Sequence, residues 1–534
     1  MANREGLAGG GFFAHPRRIG AISAIWTAAV LLCAAGQPFQ LGFYLDDWPQ
    51  CAAAAHAGAP FSKALLGFVW AIDPTRPGLV PLLFLFSSFF RDRVLLWHTG
   101  LLAAGCLVAA ILIRVIGLAG SEKAGAKAAA IWVGLCWLLL PWNVAAQFWP
   151  TYLPNVFTLA VFGWLLALLI RGWSRHKHNA FAAFAIYLWI CLGYEAFYFQ
   201  WAILALFGLA LVRAGRARLR DVAASTIALI AAQLGALGWH VYSARLVGLG
   251  MVGVERTVVP DWPRILFGDL LTTIPSIYRS FGAAARPFAV IALVFGTIWL
   301  FDCYKRLRSP KLRPEVSTPV VLAACCLAGG VLSIFAFALG GRGIEGTGVA
   351  TRTLMLFNFW ILIGAGILLG AFLDCAGRSM RMAALVLLAG LGATLAAGHL
   401  LRLADWAAAW RLETKVLAQA PVDELRKTPA NARILLVNQP SVNGAPAFSV
   451  AWDLNYAMPW KYPFLEGRVF LVFSPRDGTL TWDGRTLAYP GAAPIATATE
   501  LYVWKPAMEP AAGSFSRVSA PFRVSVEDLR PASR

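Results

Sequence analysis

The sequence predicts a polytopic α-helical membrane protein that ends in a small α/β domain. Of its 534 residues 59% are hydrophobic and only 14% are charged, whereas soluble domains carry about 25% charged residues. The mean hydropathy is +0.65. Up to residue 401, apolar runs long enough to cross a bilayer alternate with short basic clusters, and beyond it this pattern stops.

The formal net charge of +19 indicates membrane topology. The basic residues lie in short clusters between apolar runs, such as "RGWSRHK" (171–177) and "RAGRARLR" (213–220). An excess of Lys and Arg is typical of cytoplasmic loops. We therefore expect no nucleic-acid partner, although the same charge on a soluble domain would suggest one.

A helix needs about 20 apolar residues to cross a bilayer, and nine runs of roughly this length are clear candidates. The run 78–90 would reach only about 20 Å, so it predicts an interfacial helix. The run 180–212 is too long for one span and carries Glu195 near its middle. Because both flanking clusters are basic, we expect two crossings that turn at "GYEAFYF" (193–199). The nine clear runs are 19–36, 94–117, 128–149, 155–170, 222–246, 287–303, 319–340, 354–374 and 382–401.

Eleven spans follow, with a cytoplasmic N-terminus and residues 37–93, 247–286 and 341–353 as the main outer loops. The spans make up a catalytic domain over 1–401. From 402 a helical segment leads to short β-like runs such as "ARILLVN" and "RVFLVF", separated by Pro and Gly. These predict a soluble α/β domain over 402–534 on the outer side of a cytoplasmic (inner) membrane, in the periplasm of a cell that has one.

An acidic pair, Asp46 and Asp47, lies in "FYLDDWPQ" (43–50), just after the first span. A lone aspartate in a loop is commonly a helix cap. Two adjacent carboxylates repel each other, however, and a partly hydrated pair suits a general base that removes a proton from a hydroxyl. The pair is therefore the first candidate for a catalytic site.

The first 200 residues resemble the GT-C glycosyltransferases, which use polyprenyl-phosphate sugars and include protein O-mannosyltransferases and lipid A aminoarabinose transferases. The aromatic-flanked acidic pair carries the resemblance, followed in order by "WAIDPTRPGLVPLLFLFSSFF" (70–90) with its Arg-Pro and "LLWHTGLLAAGCLVAAIL" (95–112) with its early His. "LLLPWNVAAQFWPTYLPNVFTLAVFGWLLALL" (138–169) and "CLGYEAF" (191–197) continue it. No such likeness is found for the C-terminal domain.

The resemblance implies transfer of one sugar from a polyprenyl-phosphate carrier to an acceptor hydroxyl on a lipid, glycan or protein, with inversion. Asp46 would be the base, and Asp47 would orient the acceptor or hold the base. Cations on the outer loops would stabilise the departing phosphate. The glycine-rich loop "LGGRGIEGTGVATRTL" (339–354) contains two of these cations, Arg342 and Arg352, and such a loop favours anion binding. The candidate phosphate ligands are Arg342, Arg352, Arg76 and Lys63.

Six further residues are candidates for binding substrate. Glu195 is an ionisable group within a long apolar run, where a charge is expensive. The aromatic residues could pack against a sugar ring, although belt residues at the membrane surface are the commoner role of Trp, and His98 could equally be a packed polar residue. These candidates are Glu195, Trp48, Trp70, Trp149, Tyr152 and His98.

The sequence predicts no certain cofactor, and a divalent metal remains possible. Three alternatives to the transferase stay open: a transporter or flippase for a lipid-linked sugar or solute, a polysaccharide polymerase or ligase, and a non-catalytic scaffold. Transporters place coupling carboxylates near the bilayer midplane, whereas this acidic pair lies in a loop, which favours the enzyme.

Overall fold

The structure is a computed structural model. It describes residues 16–44, 47–48, 76–120, 122–177, 179–246, 261–307, 313–339 and 348–427, and in the C-terminal region 432–437, 441–443, 445–448, 451–466, 469–472, 480–488, 496–505 and 514–524. Its first part is a helical bundle. The helices are α1 (Pro16–Ala35), α2 (Gln37–Gln40), α3 (Val80–Phe90), α4 (Val94–Ala119), α5 (Ala124–Cys136), α6 (Val144–Phe148), α7 (Leu153–Arg175), α8 (Ala180–Gly193), α9 (Gln200–Arg213), α10 (Leu219–Leu246), α11 (Trp262–Ser280), α12 (Ala285–Leu307), α13 (Arg313–Leu339), α14 (Met355–Cys375), α15 (Arg378–Ala418), α16 (Val422–Lys427) and α17 (Ala451–Lys461).

The predicted class, a polytopic helical membrane protein, is confirmed. Among the described residues, eight helical stretches are long and apolar enough to cross a membrane, and these contain α4, α7, α9, α10, α12, α13, α14 and α15. A helix lies at each of the eleven predicted positions, but α1, α5 and α8 are not among the eight. The number of crossings therefore stays a prediction.

Two further segments have the predicted form, an interfacial helix and a run that divides into two helices. Helix α3 has 11 residues and spans about 16 Å at ~1.5 Å per residue, which is too short to cross a bilayer. The long run 180–212 divides into α8 and α9, with a 3₁₀ turn at Glu195–Phe197 between them. Tyr187 closes this turn, since its hydroxyl donates to the Phe197 carbonyl at 2.8 Å.

The two basic clusters that flank this turn lie at the same end of the bundle. Trp173, in the first cluster, donates through Nε1 to Ser225 Oγ at 3.2 Å, just after the second cluster. In the second cluster, Arg216 donates through Nη1 to the Ala119 carbonyl at 2.6 Å. We name this the basic end, formed by residues 118–120, 122–127, 171–177, 213–225 and 374–381.

The opposite end carries the acidic segment and the turn at Glu195. We name it the loop end, formed by residues 41–44, 47–48, 76–79, 142–152, 194–199, 281–284 and 348–358. Helix α11 also falls in a segment predicted to be an outer loop (247–286). It exposes an apolar face with Phe267, Leu271 and Ile274 and buries Asp269 and Thr273.

The C-terminal region is an α/β unit, as predicted. Strand β1 (Ala432–Val437) is the parallel neighbour of both β4 (Val469–Val472) and β8 (Glu500–Lys505), and β9 (Ser514–Val518) pairs antiparallel with β8. A hairpin joins β2 (Ser441–Val442) to β3 (Ala445–Pro446). An antiparallel sheet has the order β10 (Phe522–Val524), β5 (Leu480–Trp482), β6 (Thr486–Ala488), β7 (Ala496–Thr497).

Helix α15 runs from the bundle toward this unit as one continuous helix. Its 41 residues extend about 60 Å, twice the thickness of a bilayer core. The boundary predicted between 401 and 402 lies inside this helix. Residues on its second half consequently pack against the loop end of the bundle, and this packing forms one wall of the candidate site.

Candidate functional site

The acidic segment is held at the loop end by Asp47. This side chain is fully buried; its Oδ2 accepts the backbone N–H of Tyr44 at 2.6 Å, and its Oδ1 accepts that of Thr151 at 2.9 Å. The carboxylate thereby ties two segments that are about one hundred residues apart. Four predicted site residues, Asp46, Lys63, Trp70 and Arg342, lie outside the described residues.

His98 fixes the start of the same segment. Its ring is buried, and Nε2 lies 2.8 Å from the carbonyl oxygen of Gly42. Gly42 in turn lies flat against the indole of Trp410, where a Cβ would overlap the ring. The contact of His98 in the structure is thus with the backbone, and it positions the loop that carries the acidic pair.

Aromatic side chains of α15 form the wall behind this loop. Tyr44 packs edge-on against Trp406 with 4.7 Å between ring centroids, and its hydroxyl donates to the Trp406 carbonyl at 2.9 Å. Burial raises the pKa of Tyr44 well above its usual value, and the nearby carboxylates of Glu413 and Asp47 raise it further. The phenol therefore stays a neutral donor.

Trp48 completes this wall. It stacks on Trp410 at 6.2 Å between centroids and meets Phe43 edge-on at 5.4 Å. The side chain is 6% exposed. Its Nε1 has no acceptor among the described residues.

The segment that binds Asp47 also carries two predicted aromatic residues. Trp149 and Tyr152 stack with 5.8 Å between centroids and 6° between ring planes. The guanidinium of Arg352 lies 5.8 Å from the centroid of Trp149, within the range of a cation–π interaction. Tyr152 also donates its hydroxyl to the Arg352 carbonyl at 3.2 Å, so this short segment holds Arg352 from two sides.

Arg76 and Glu195 form an ion pair next to this segment. Arg76 Nε lies 3.1 Å from Glu195 Oε1, and Nη2 lies 2.9 Å from Oε2. The guanidinium is 5.7 Å from the ring centroid of Tyr194, and the Tyr194 and Tyr152 hydroxyls are 3.2 Å apart. Glu195 thus binds one of the predicted phosphate ligands directly.

Gly78 allows this pair to form. Its N–H donates to the Leu192 carbonyl at 3.2 Å, and a Cβ at this position would lie 2.7 Å from the Trp189 carbonyl and 2.8 Å from the Gly193 nitrogen. Only a residue without a side chain lets the backbone after Arg76 approach the end of α8 this closely.

The structure therefore brings six of the predicted residues together into one connected site. Contacts run from the Arg76–Glu195 pair through Tyr194 to Tyr152 and Arg352, and from the same segment through Thr151 to Asp47. Two guanidiniums suit a phosphate, and aromatic faces suit a sugar ring. Among the described residues no group of three or more His, Cys, Asp or Glu could hold a metal ion. The six are Asp47, Arg76, Trp149, Tyr152, Glu195 and Arg352.

Several residues of the site are absent from the sequence prediction. Tyr194 and Thr151 directly precede the predicted residues Glu195 and Tyr152. This adjacency in the sequence is the signal that could have identified them. Trp406 and Trp410 are spaced i, i+4, which predicts one helical face, but nothing local indicates that this face meets residues 42–48. Their placement depends on helix α15 continuing past residue 402.

Comparison with known proteins gives matches among solved structures. No protein-family model matches the sequence, and no curated protein does. The chain is similar to the crystal structure of ArnT from Cupriavidus metallidurans bound to undecaprenyl phosphate, with 13% identity, coverage of 86% of each chain and a TM-score of 0.42. At this level of similarity no residue role, donor or acceptor follows.

Proposed function

We propose that this protein is a membrane glycosyltransferase that moves a sugar from a polyprenyl-phosphate carrier to an acceptor hydroxyl at the outer face of the membrane. The observation that supports it is the connection between the acidic segment and two arginines through residues 149–152 and Tyr194. A base, phosphate ligands and aromatic faces are the groups that this transfer needs.

In the proposed reaction, Asp46 removes the proton of the acceptor hydroxyl. The acceptor oxygen then bonds to the anomeric carbon while the bond from that carbon to the phosphate oxygen breaks. The electron pair leaves with the polyprenyl phosphate, and the anomeric configuration inverts. Both oxygens of Asp47 accept backbone N–H groups, so we assign it as a positioning residue that holds the loop carrying Asp46.

We assign the departing phosphate to Arg352 first and to Arg76 second. The Arg76 guanidinium is paired through Nε and Nη2 with the Glu195 carboxylate. The Arg352 guanidinium instead lies over the indole of Trp149. Arg342 and Lys63 remain proposed contributors. Guanidiniums that contact the phosphate would stabilise the charge that develops on it as it leaves.

The sugar and acceptor would bind against the aromatic residues of the loop end. The indole N–H groups of Trp48 and Trp149 are buried and have no acceptor among the described residues, and a sugar hydroxyl could accept from either. Trp70 remains a further proposed contact. His98 acts through the Gly42 carbonyl. A divalent metal remains a proposal without assigned ligands.

The proposal fits an orientation with the basic end in the cytoplasm, the loop end outside and the C-terminal unit on the outer side of an inner membrane. A transporter is the alternative class. Of the acidic pair, the structure describes Asp47, which lies at the loop end of the bundle, whereas coupling carboxylates of transporters lie near the midplane.

The test compares cells with and without the protein by mass spectrometry of their surface lipids, polysaccharides and secreted proteins. A missing hexose- or pentose-sized unit identifies the product, and reintroduced wild-type protein should restore it. Asp46→Asn should lower transfer by about 10²–10⁴-fold, because it removes the proton acceptor and keeps the shape. Asp92→Asn, in the exposed turn before α4, should retain full activity. Near-normal transfer by Asp46→Asn would overturn the assignment of the base.

A further inference from the structure

A separate cavity opens at the basic end, away from the candidate site. Its volume is about 290 Å³, close to the lower limit of typical small-ligand pockets. It lies where the ends of α4 and α14 meet the starts of α5 and α13 and the turn after α9. Its lining includes Lys123, Arg216, Leu322, Ile367, Ala371 and Asp374.

The walls of this cavity change from polar to apolar with depth. Lys123, Arg216 and Asp374 belong to connections between helices or to a helix end, whereas Ile367 and Leu322 lie more than two turns inside α14 and α13 and are buried. A ligand with a polar head and an apolar stem fits such a gradient. A wholly polar solute would leave the inner wall uncovered.

Arg216 is held in place at the cavity. Its Nη1 and Nη2 donate to the carbonyls of Ala119 and Leu118, each at 2.6 Å, which are end carbonyls of α4 without helical partners. A guanidinium has five N–H groups, so three remain beyond these two bonds. The cation is therefore positioned before any ligand arrives.

The balance of charge at the mouth favours an anion. Lys123 and Arg216 carry two positive charges, and Asp374 carries one negative charge. Asp374 Oδ1 accepts the N–H of Ala126 at 3.3 Å, at the beginning of α5, where a carboxylate is stabilised by the helix dipole. Gly125 allows this approach, since a Cβ there would lie 2.6 Å from the same oxygen.

We propose that this cavity binds the headgroup of an anionic phospholipid, with its phosphate at Arg216 and Lys123 and the first part of its chains against Leu322 and Ile367. The basic clusters at this end are typical of a cytoplasmic surface, and basic pockets between helices on that side bind anionic lipid headgroups. The inference does not depend on glycosyl transfer.

Native mass spectrometry of the purified full-length protein tests the proposal. The protein in detergent is given equal amounts of phosphatidylglycerol and phosphatidylcholine with identical chains. Wild type should retain phosphatidylglycerol preferentially. Arg216→Gln and Lys123→Gln should each lower its retention about fivefold, the effect of one interfacial charge, and leave phosphatidylcholine unchanged.

Arg218→Gln is the matched control, because Arg218 is an exposed cation two residues away that does not line the cavity. It should retain the lipid as wild type does. Ala371→Leu fills the cavity and keeps every charge, so it should lose the lipid while its melting temperature stays that of the wild type. This variant separates lipid loss from any loosening of α4 by Arg216→Gln.

Inorganic phosphate and glycerol phosphate, each in excess, should leave the lipid in place. Their displacement of it would assign the site to a soluble phosphate and overturn the lipid proposal. Equal retention of the two lipids by wild type, equal losses in Arg216→Gln and Arg218→Gln, or full retention by Ala371→Leu would overturn it as well.

Discussion

The two ends of the helical bundle treat charge in different ways. At the loop end, charged side chains meet partners from distant parts of the chain: Asp47 binds the backbone of Thr151, and Arg76 binds Glu195. At the basic end, Arg216 caps the end of α4 from 97 residues further along the chain, and cations such as Lys127 and Arg218 are exposed. The loop end thus holds its charges against protein partners, whereas the basic end pairs some charges and leaves other cations hydrated.

The difference follows from the cost of removing a charge from water. A buried carboxylate must have hydrogen-bond donors, because an unpaired one costs several kcal/mol. An exposed cation at a helix end needs only water and the terminal carbonyls. Substitutions at the loop end should therefore cost more than matched substitutions at the basic end, and three pairs of variants test this, from the largest expected effect to the smallest.

The first pair compares Asp47→Asn with Asp374→Asn. The amide at 47 keeps one acceptor but must turn an NH₂ group toward the N–H of either Tyr44 or Thr151. We expect a loss of about 2–3 kcal/mol in the free energy of unfolding. Asp374 is only partly buried, and its bond to Ala126 is longer, so its variant should lose about 1 kcal/mol or less. Denaturant unfolding in detergent measures both, and equal losses would contradict the comparison.

The second pair compares Gly78→Ala with Gly117→Ala. The added Cβ at 78 would lie 2.7 and 2.8 Å from backbone atoms of α8, which cannot move aside as a side chain can. We expect a loss of about 1–3 kcal/mol. At Gly117, inside α4 toward the basic end, nothing lies within 4 Å of the new atom, and alanine should stabilise the helix by up to ~1 kcal/mol. Melting temperatures in the same detergent should shift in opposite directions.

The third pair compares two ion pairs by double-mutant cycles. Arg76–Glu195 at the loop end is bidentate, with side chains about one quarter exposed, and we expect a coupling energy of about 1 kcal/mol. His176–Asp221 at the basic end is longer, at 3.4 Å, with the His side chain 40% exposed, and we expect about 0.5 kcal/mol or less. A larger coupling at the basic end would reverse the comparison.

Much of the site was predictable because short-range patterns carry it. Glu195 is conspicuous as a lone charge in an apolar run, and the turn at 194–199 follows from the basic clusters on either side. Arg76 and Arg352 follow from their places on predicted outer loops. The pairing of Arg76 with Glu195 did not follow, because 119 residues separate them and either charge could have faced lipid headgroups or water.

The role of Asp47 shows where sequence reasoning ended. The sequence presents two neighbouring aspartates and no means of telling them apart by burial. The structure buries Asp47 completely between two backbone donors, and this burial is the reason that we propose a positioning role for it. The same limit applies to His98, whose partner is a backbone carbonyl, since no side-chain pattern in the sequence indicates a backbone contact.

The sequence by itself determined the class of protein, a helix at each of the eleven apolar runs and the grouping of basic clusters at one end, because hydrophobic length and charge act locally along the chain. Only the tertiary structure decided that α15 continues past residue 402, that Trp406 and Trp410 pack on Gly42, Tyr44 and Trp48, and that Asp47, Arg76, Glu195 and Arg352 share one network. These contacts join segments up to several hundred residues apart. They arise from the packing of helices against one another, and composition and periodicity within one segment contain no information about which surfaces meet.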